Sequence, residues 1–455
     1  MSESPIQLPL RGRLWRPAER VLRDNDTGTY TVPSKTTYPH QWNWDSALIA
    51  LGWAELDPPR AWTELETLLG AQDPITGMVP HIAFHTRLPD QLGGRLRGLL
   101  TQVARPSARY LPGPVWWGKR VSLDGRRISG ITQPPLAATC MRLLFEQHPD
   151  ENRARGLLAP LARWHRFLLD ARDPYGHGEP TIIHPWETGR DNAIEWDVPL
   201  WRVMPEVTVL HRRDTDSVNA AERPTDEHYR RYLTLVRRGT ALDWDQERLA
   251  RSGSFRVLDP GFSAMLALAA ADLAWLAEAL GEPRLAEESR AHTERVSAAL
   301  TQRADPDGLI RPLDLTDGAT LHVTSAGSAL TLLTPGLGGR QLAAARKVIT
   351  DGVLRSPFGV RSLDREHAEL EPRNYWRGPV WTNVTWLAAH GLDLHGEPAT
   401  AGRLRAQMIQ AVEGGGMREY FEPDSGRGLG AMDFAWTAAL TLRELAAARS
   451  GAEAA

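Results

Sequence analysis

PGFSAMLALAAADLAWLAEALG at 260–281, followed almost at once by RLAEESRAHTERVSAALTQ at 284–302, decides the fold through the contrast between its two halves. The first run is apolar nearly all round at helical spacing, the pattern of a helix enclosed by other helices. The second is apolar only along Leu285, His292, Val296 and Leu300, the pattern of a helix with one face on a core and the rest in water. The same contrast recurs in 45–55 against 58–72, 133–148 against 152–171, 322–334 against 338–352, and 379–395 against 399–412. Runs 197–211 and 433–449 bring the enclosed candidates to seven. Strand-like alternation is scarce, so the expectation is an all-α fold in which an inner ring of buried helices is wrapped by an outer amphipathic ring. No short-period repeat marks a solenoid. Two intervals leave the pattern, 86–131 with many Gly, Pro and Arg, and 212–257 with many charges; both read as lid or cap segments.

The 455 residues carry no Ser/Gly linker or charge block that divides them, so 1–455 reads as one domain. A net charge of −3 provides no basic stripe for nucleic acid and no cationic face for a membrane. Small-molecule partners fit better, and nothing speaks to oligomeric state. The start MSESPIQLPLRGRLW lacks the charged and apolar regions of a secretory leader, and no run approaches ~18 continuous apolar residues, so the expected location is cytoplasmic. The one cysteine, Cys140 in LAATCMRLLF, excludes an internal disulfide and reads as a packed thiol. HExxH, CxxC, Walker and Rossmann patterns are missing, so neither a catalytic metal nor a nucleotide cofactor is expected. DPDG at 305–308 is too short for a calcium loop and reads as a turn.

Polar and aromatic clusters stand just before the enclosed helices: TYPHQWNWDS at 37–46, ISGITQPP at 128–135, HPWETGRDNAIEWD at 184–197, RNYWRGPVW at 373–381 and GLGAMDFAW at 428–436. In a ring of parallel inner helices these loops open at one end, where helix N-termini direct free N–H groups at oxygen-rich ligands. Tryptophan is abundant, 17 copies against 8 each of Phe and Tyr, and Trp42, Trp44, Trp186, Trp376, Trp381 and Trp436 fall in these loops. An indole offers a broad apolar face to sugar C–H groups and an N–H donor at its rim. Packing of a helical core is the competing use for any single Trp.

Glycoside cleavage without a cofactor needs one protonated carboxyl to protonate the leaving oxygen and one ionised carboxylate to activate water or attack carbon. Asp191 follows a Gly-containing turn beside Trp186, where apolar neighbours would raise its pKa, and is the candidate acid. Glu419 in MREYFEP, just after GGG at 414–416, is the candidate base. Asp45, Glu187 and Asp197 compete as binders of sugar hydroxyls or as orienting groups, with helix N-capping as the alternative for Asp45, ahead of a helix over 45–56, and for Asp197. His81, in GMVPHIAFH, is a candidate hydroxyl donor or a structural histidine, and Gln41 and Tyr375 lie within the aromatic loops as further candidate binders.

These segments resemble bacterial members of glycoside hydrolase family 63, in particular the hydrolases of mannosylglycerate and glucosylglycerate. The resemblance rests on YPHQWNWDS at 38–46, TQPP at 132–135, HPWETGRDN at 184–192, RRDTDSVNAAERPTDEHYRRY at 212–232, RNYWRGPVW at 373–381 and EYFEPDSGRGLGAMDFAWTAA at 419–439. It implies an (α/α)6 barrel and an inverting mechanism, with Asp191 at the acid position and Glu419 at the base position. It also places Tyr38, Trp44, Asp45, Trp376 and the Gly189 turn around the nonreducing sugar, and Gln133 on the matching loop. Asn43 stands where relatives often have an aromatic residue and Thr188 where Ser is common, departures that bear on sugar selectivity.

The expected activity is that of an inverting α-glycosidase acting on a small anionic glycoside, 2-O-α-glucosylglycerate or 2-O-α-mannosylglycerate. A glycerate carboxylate calls for cations, and Lys35, Arg190 and Arg377 are the candidates, with 27–40 as a lid over the acceptor. The rivals are an α-glucosidase for a neutral disaccharide or a glucose-capped oligosaccharide, a sugar epimerase or isomerase on a similar helical barrel, and a noncatalytic helical scaffold.

Overall fold

The computed structural model describes residues 8–85, 113–208, 212 and 214–453. Its main helices are α1 (Leu8–Asn25), α2 (Asn43–Ala54), α3 (Pro58–Gly70), α4 (Ala137–Gln147), α5 (Glu151–Asp170), α6 (Asp226–Ala241), α7 (Pro260–Ala279), α8 (Pro283–Gln302), α9 (Ala326–Leu330), α10 (Gly339–Thr350), α11 (Thr382–Leu394), α12 (Pro398–Gly415) and α13 (Ala435–Glu453). A 3-10 turn, Thr331–Leu333, prolongs α9.

The two kinds of helix separate by burial. Sixteen of the twenty residues of α7 are buried, whereas α8 buries only Ala286, Ser289, Val296 and Leu300. Helix α7 is long and apolar enough to cross a membrane, yet it lies within the core, capped by Asp259 with Pro260 in its first turn. The enclosed helices follow one another in a circuit: α2 packs on α4, α4 on α7, α7 on α9, α9 on α11, α11 on α13, and α13 returns to α2. Each has an outer companion, with α3 on α2, α5 on α4, α8 on α7, α10 on α9, α12 on α11 and α1 on α13. The N-terminal helix thus backs the last inner helix and joins the two ends of the chain.

Two sequence expectations change here. The run 197–211 is not an inner helix: its described part, 197–208, holds one helical stretch, Asp197–Trp201, and has left helical geometry where the Glu206 N–H bonds Thr234 of α6 at 2.8 Å. Six enclosed helices remain among the described residues. The outer helix α1 went unread because Pro17 and a high charge density obscure its stripe, Leu14, Ala18, Val21 and Leu22, all buried. Of the 86–131 excursion, 86–112 lies outside the described residues. The remainder forms a 3-10 turn at Pro114–Trp117 and a short strand, Arg127–Ile128, paired with Ile82–Phe84, which pairs in turn with Gln41–Trp42. The 212–257 interval holds the helical turn Asp214–Ser217, α6 and a further helix, Gln246–Ser252.

Glycine sets the spacing at the seams between inner helices. A Cβ on Gly52 of α2 would stand 2.4 Å from the Cα of Ala439 on α13, and one on Gly391 of α11 would stand 2.7 Å from the backbone of Leu332. Backbone meets backbone at these points, so a methyl group cannot be absorbed by a side-chain rotation. Gly52→Ala is therefore expected to lower stability by about 1–3 kcal/mol in urea unfolding despite the better helix propensity of alanine. Gly156→Ala, on the exposed face of α5 with no neighbour within 4 Å, should raise it by about 0.5–1 kcal/mol. Equal behaviour of the two would contradict the close seam.

Candidate active site

The loops that lead into the inner helices enclose one cavity. Trp44 and Asp45 come from the first turn of α2, Gln133 from the chain before α4, Gly189 and Asp191 from the loop after Trp186, Trp381 from the N-cap of α11, and Trp436 from the start of α13. Tyr38, Trp42, His81, Trp186, Tyr375, Trp376 and Glu419 complete the expected residues that line it. Pro33, Arg223, Tyr229 and Phe434 line it as well and were not anticipated.

The walls are stacked aromatics. Trp376 lies on Trp381 with centroids 3.9 Å apart and planes within 3°, Trp381 lies on Tyr420 at 4.6 Å, and Trp436 meets Trp44 edge-on at 5.3 Å. On another wall His81 stacks on Trp186 at 5.8 Å. Burial holds His81 well below the ordinary histidine range, so it is a neutral imidazole. Gly189 is in the left-handed region at φ 70°, and a Cβ there would meet the Trp44 ring at 2.4 Å; only glycine lets this turn close over the indole. Four buried polar atoms on lining residues have no hydrogen-bond partner: Nδ1 of His81, Oε1 of Gln133, and the Nε1 groups of Trp376 and Trp436.

Three acids share this space. Asp191 is half-buried at the cavity wall, and its pKa is pushed up to about 7; desolvation is the main cause, Arg223 opposes it, and Glu419 adds to it. Burial likewise pushes Asp45 well above the carboxylate range, with Glu419 and Asp191 contributing. Glu419 has a different setting: it accepts from the Tyr38 hydroxyl at 2.7 Å, from Nη1 of Arg223 at 3.3 Å to both oxygens, and from the Ala431 N–H at 2.9 Å. Such donors suit a carboxylate anion. Burial holds the Tyr38 phenol well above its usual range, so it remains a donor.

Four expected residues stand behind the lining. Glu187 takes both Nη groups of the buried Arg172 and the backbone N–H groups of Thr132 and Ile183, which fixes the turn ahead of Asp191. Arg190 pairs with Asp259 at 2.9 Å and Glu195 at 3.1 Å, and Arg377 pairs with Asp197 at 2.6 Å. Gln41 accepts from Arg126 at 2.9 Å and donates to Ser46 at 3.1 Å. Asn192 bonds Asn374 at 2.8 Å and accepts the Trp376 N–H at 3.0 Å, tying the acid loop to the 373–381 loop.

The capping readings also change. Trp42 holds the N-cap position of α2, so Asp45 lies inside the first turn with its carboxyl in the cavity. Trp196 precedes the short helix at Asp197, whose carboxylate is taken by Arg377. Lys35 is exposed and outside the lining, and Arg190 and Arg377 are spent on internal pairs. Among the described residues, Arg223 is the one cation that lines the cavity. Its signal lay in the charged 212–232 stretch, which the helix pattern assigned to an excursion. In the 27–40 segment, the Pro33 carbonyl accepts from the Ala435 N–H at 2.9 Å and Ser34 donates to the Met432 carbonyl at 3.1 Å. No group of three or more His, Cys, Asp or Glu suited to hold a metal ion occurs among the described residues.

Residues 38–437 match the family model described as mannosylglycerate hydrolase MGH1-like glycoside hydrolase domain. A mannosylglycerate hydrolase of Thermus thermophilus is 40% identical over 93% of this chain and 99% of its own. The glucosylglycerate hydrolase of Mycolicibacterium hassiacum is 33% identical over 97% and 98% respectively. A crystal structure of a family 63 mannosylglycerate hydrolase, also from Thermus thermophilus and in complex with Tris and D-glycerate, superposes with a TM-score of 0.83 at 38% identity, covering 94% of this chain and 99% of that one. The chain therefore belongs to the mannosylglycerate hydrolase MGH1-like family of glycoside hydrolases within family 63, and it is a glycoside hydrolase.

Proposed function

We propose that this enzyme hydrolyses 2-O-α-mannosylglycerate or 2-O-α-glucosylglycerate to the free sugar and glycerate with inversion at the anomeric carbon. One observation carries the reading: a single tryptophan-walled cavity holds a carboxyl that keeps its proton to about pH 7, Asp191, and a second carboxyl, Glu419, surrounded by donors. Asp191 protonates the glycosidic oxygen as the bond to the anomeric carbon breaks. Glu419 takes a proton from the water that attacks the opposite face, which for inversion asks for roughly 6.5–9.5 Å between the carboxyl groups. The unpartnered atoms of His81, Gln133, Trp376 and Trp436 await hydroxyl groups, since buried polar atoms of this kind are costly when unsatisfied.

Arg223, which lines the cavity while it holds Glu419, is the proposed counter-charge of the glycerate carboxylate; Lys35, Arg190 and Arg377 stand outside the lining. A relative crystallised with D-glycerate supports the acceptor, and relatives named for each sugar keep both glycosides in view. The proposal extends to the architecture. Six inner helices in circuit, each with an outer companion, support an (α/α)6 barrel that forms one catalytic domain, with the 212–257 segment as a cap over the cavity.

Proton-NMR digestion of both glycosylglycerates, with trehalose and kojibiose as neutral controls, tests the reading. Glycerate and the β-anomer of the sugar should appear first from the anionic substrates, with no cleavage of the controls; an α-anomer first would contradict inversion. Asp191→Asn and Glu419→Gln should each lower turnover by at least ~10², and near-normal rates would remove the assigned role. In the wild type, kcat/KM should fall on the alkaline side with an apparent pKa near 7, because the acid must be protonated.

The same raised pKa bears on stability. The folded-state pKa of Asp191 is raised above its unfolded value of about 3.9, so folding takes up a proton and this group costs stability progressively as pH rises between the two values. Asparagine never ionises. Asp191→Asn is thus expected to raise Tm more at pH 8 than at pH 5, and an equal shift at both would contradict a desolvated, titrating carboxyl.

A further inference from the structure

Asp214 is buried but is not part of the cavity lining. It opens the helical turn Asp214–Ser217 in the segment between Trp201 and α6. Its carboxylate accepts from Arg212 at 2.7 and 3.1 Å, from Nε of Arg223 at 3.2 Å and from the Tyr229 hydroxyl at 3.1 Å. Two of these three partners, Arg223 and Tyr229, line the cavity. Arg223 then turns its Nη1 to both oxygens of Glu419, with its guanidinium 4.1 Å from the Tyr375 ring and 5.7 Å from the Tyr38 ring. A guanidinium that is gripped along its Nε edge and flanked by two rings has one direction left for its Nη1.

The surrounding charges give this grip a second consequence. Arg212 is shared between Asp214 and Asp226, Glu222 accepts from the Gly430 N–H and lies 3.7 Å from Arg373, and Asp45, Asp191 and Glu419 occupy the cavity. Arg223 works against the proton on Asp191, and Asp214 works for it. The carboxylate behind the wall therefore offsets the cation in the wall.

We propose that Asp214 is a positioning residue for hydrolysis: it aims Arg223 at Glu419 and offsets the guanidinium charge beside the acids of the cavity. The proposal rests on the catalytic assignment of Asp191 and Glu419 above. It makes the 214–232 segment part of the acid–base machinery, beyond its place as a cover.

The test is the pH dependence of kcat and kcat/KM of wild type, Asp214→Asn and Asp214→Ala on the glycosylglycerate that the wild type cleaves, with thermal melting of each. Asparagine keeps an acceptor for Arg223 and Tyr229 but removes the charge. Asp214→Asn should lower kcat about tenfold, and its alkaline limb should move to lower pH by about half a unit or more. Asp214→Ala, which loses the grip as well, should lower kcat about a hundredfold. A merely structural Asp214 would lower Tm and leave the limb in place, so an alkaline limb of Asp214→Asn that coincides with the wild type overturns the proposal. If the wild type releases glycerate, that result overturns the role of Asp214 alone; a wild type that releases none overturns the catalytic assignment with it.

Discussion

One guanidinium stands among the acids of a tryptophan-lined cavity, and the proposed chemistry depends on that imbalance. Asp45, Asp191 and Glu419 lie within it, while Arg223 is its one lining cation among the described residues. Two like charges ~6 Å apart in a medium of effective dielectric ~20 repel by about 3 kcal/mol, equivalent to about two pKa units. Burial raises the cost further, so the three acids cannot all ionise cheaply near neutrality. Arg223 and Tyr38 bond directly to Glu419, and Asp191 is left with the weaker claim on the cation. Arg223 acts on Asp191 through its charge, while the Tyr232 hydroxyl bonds the Asp191 backbone carbonyl at 2.8 Å. On the proposed assignment, the acid is the carboxyl with the lesser share of that positive charge.

The helix circuit makes that division possible by delivering residues distant in sequence to one end. The first turn of α2, the approach to α4 and the N-termini of α11 and α13 all contribute to the lining. Behind them, paired groups hold each loop: Arg172 with Glu187, Arg190 with Asp259 and Glu195, Arg377 with Asp197. These pairs carry substantial desolvation costs and are weak evidence for added stability. Their geometric effect is plain, since each fixes a backbone turn that presents a cavity residue. Glycine at the helix seams serves the same end by keeping the inner helices close.

Much of this was legible in the sequence. The contrast between α7 and α8, repeated along the chain, identified the helical class and five of the inner and outer pairings, and the clusters before the inner helices marked the loops that meet. Three things were hidden for physical reasons. The apolar content of the 197–211 run imitated a helix of the ring, yet of its described residues only Pro199, Leu200 and Val203 are buried, while Val198, Trp201 and Met204 are exposed. Arg190 and Arg377 sit in motif segments, but a motif residue that fixes a turn and one that touches the cavity look alike until their partners are known. Arg223 was concealed in a charged stretch, where residue type cannot distinguish a solvated arginine from one that is 2% exposed against two tyrosines.

The central claim is that Asp191 keeps its proton up to neutrality in the free enzyme. Difference infrared spectroscopy of the carboxyl C=O stretch across a pH titration, with Asp191→Asn as the subtraction partner, observes that proton directly. The account predicts a protonated-carboxyl band, present in wild type and missing from the variant, that disappears with a midpoint near pH 7. A midpoint close to that of an ordinary aspartate, about 4, would contradict it.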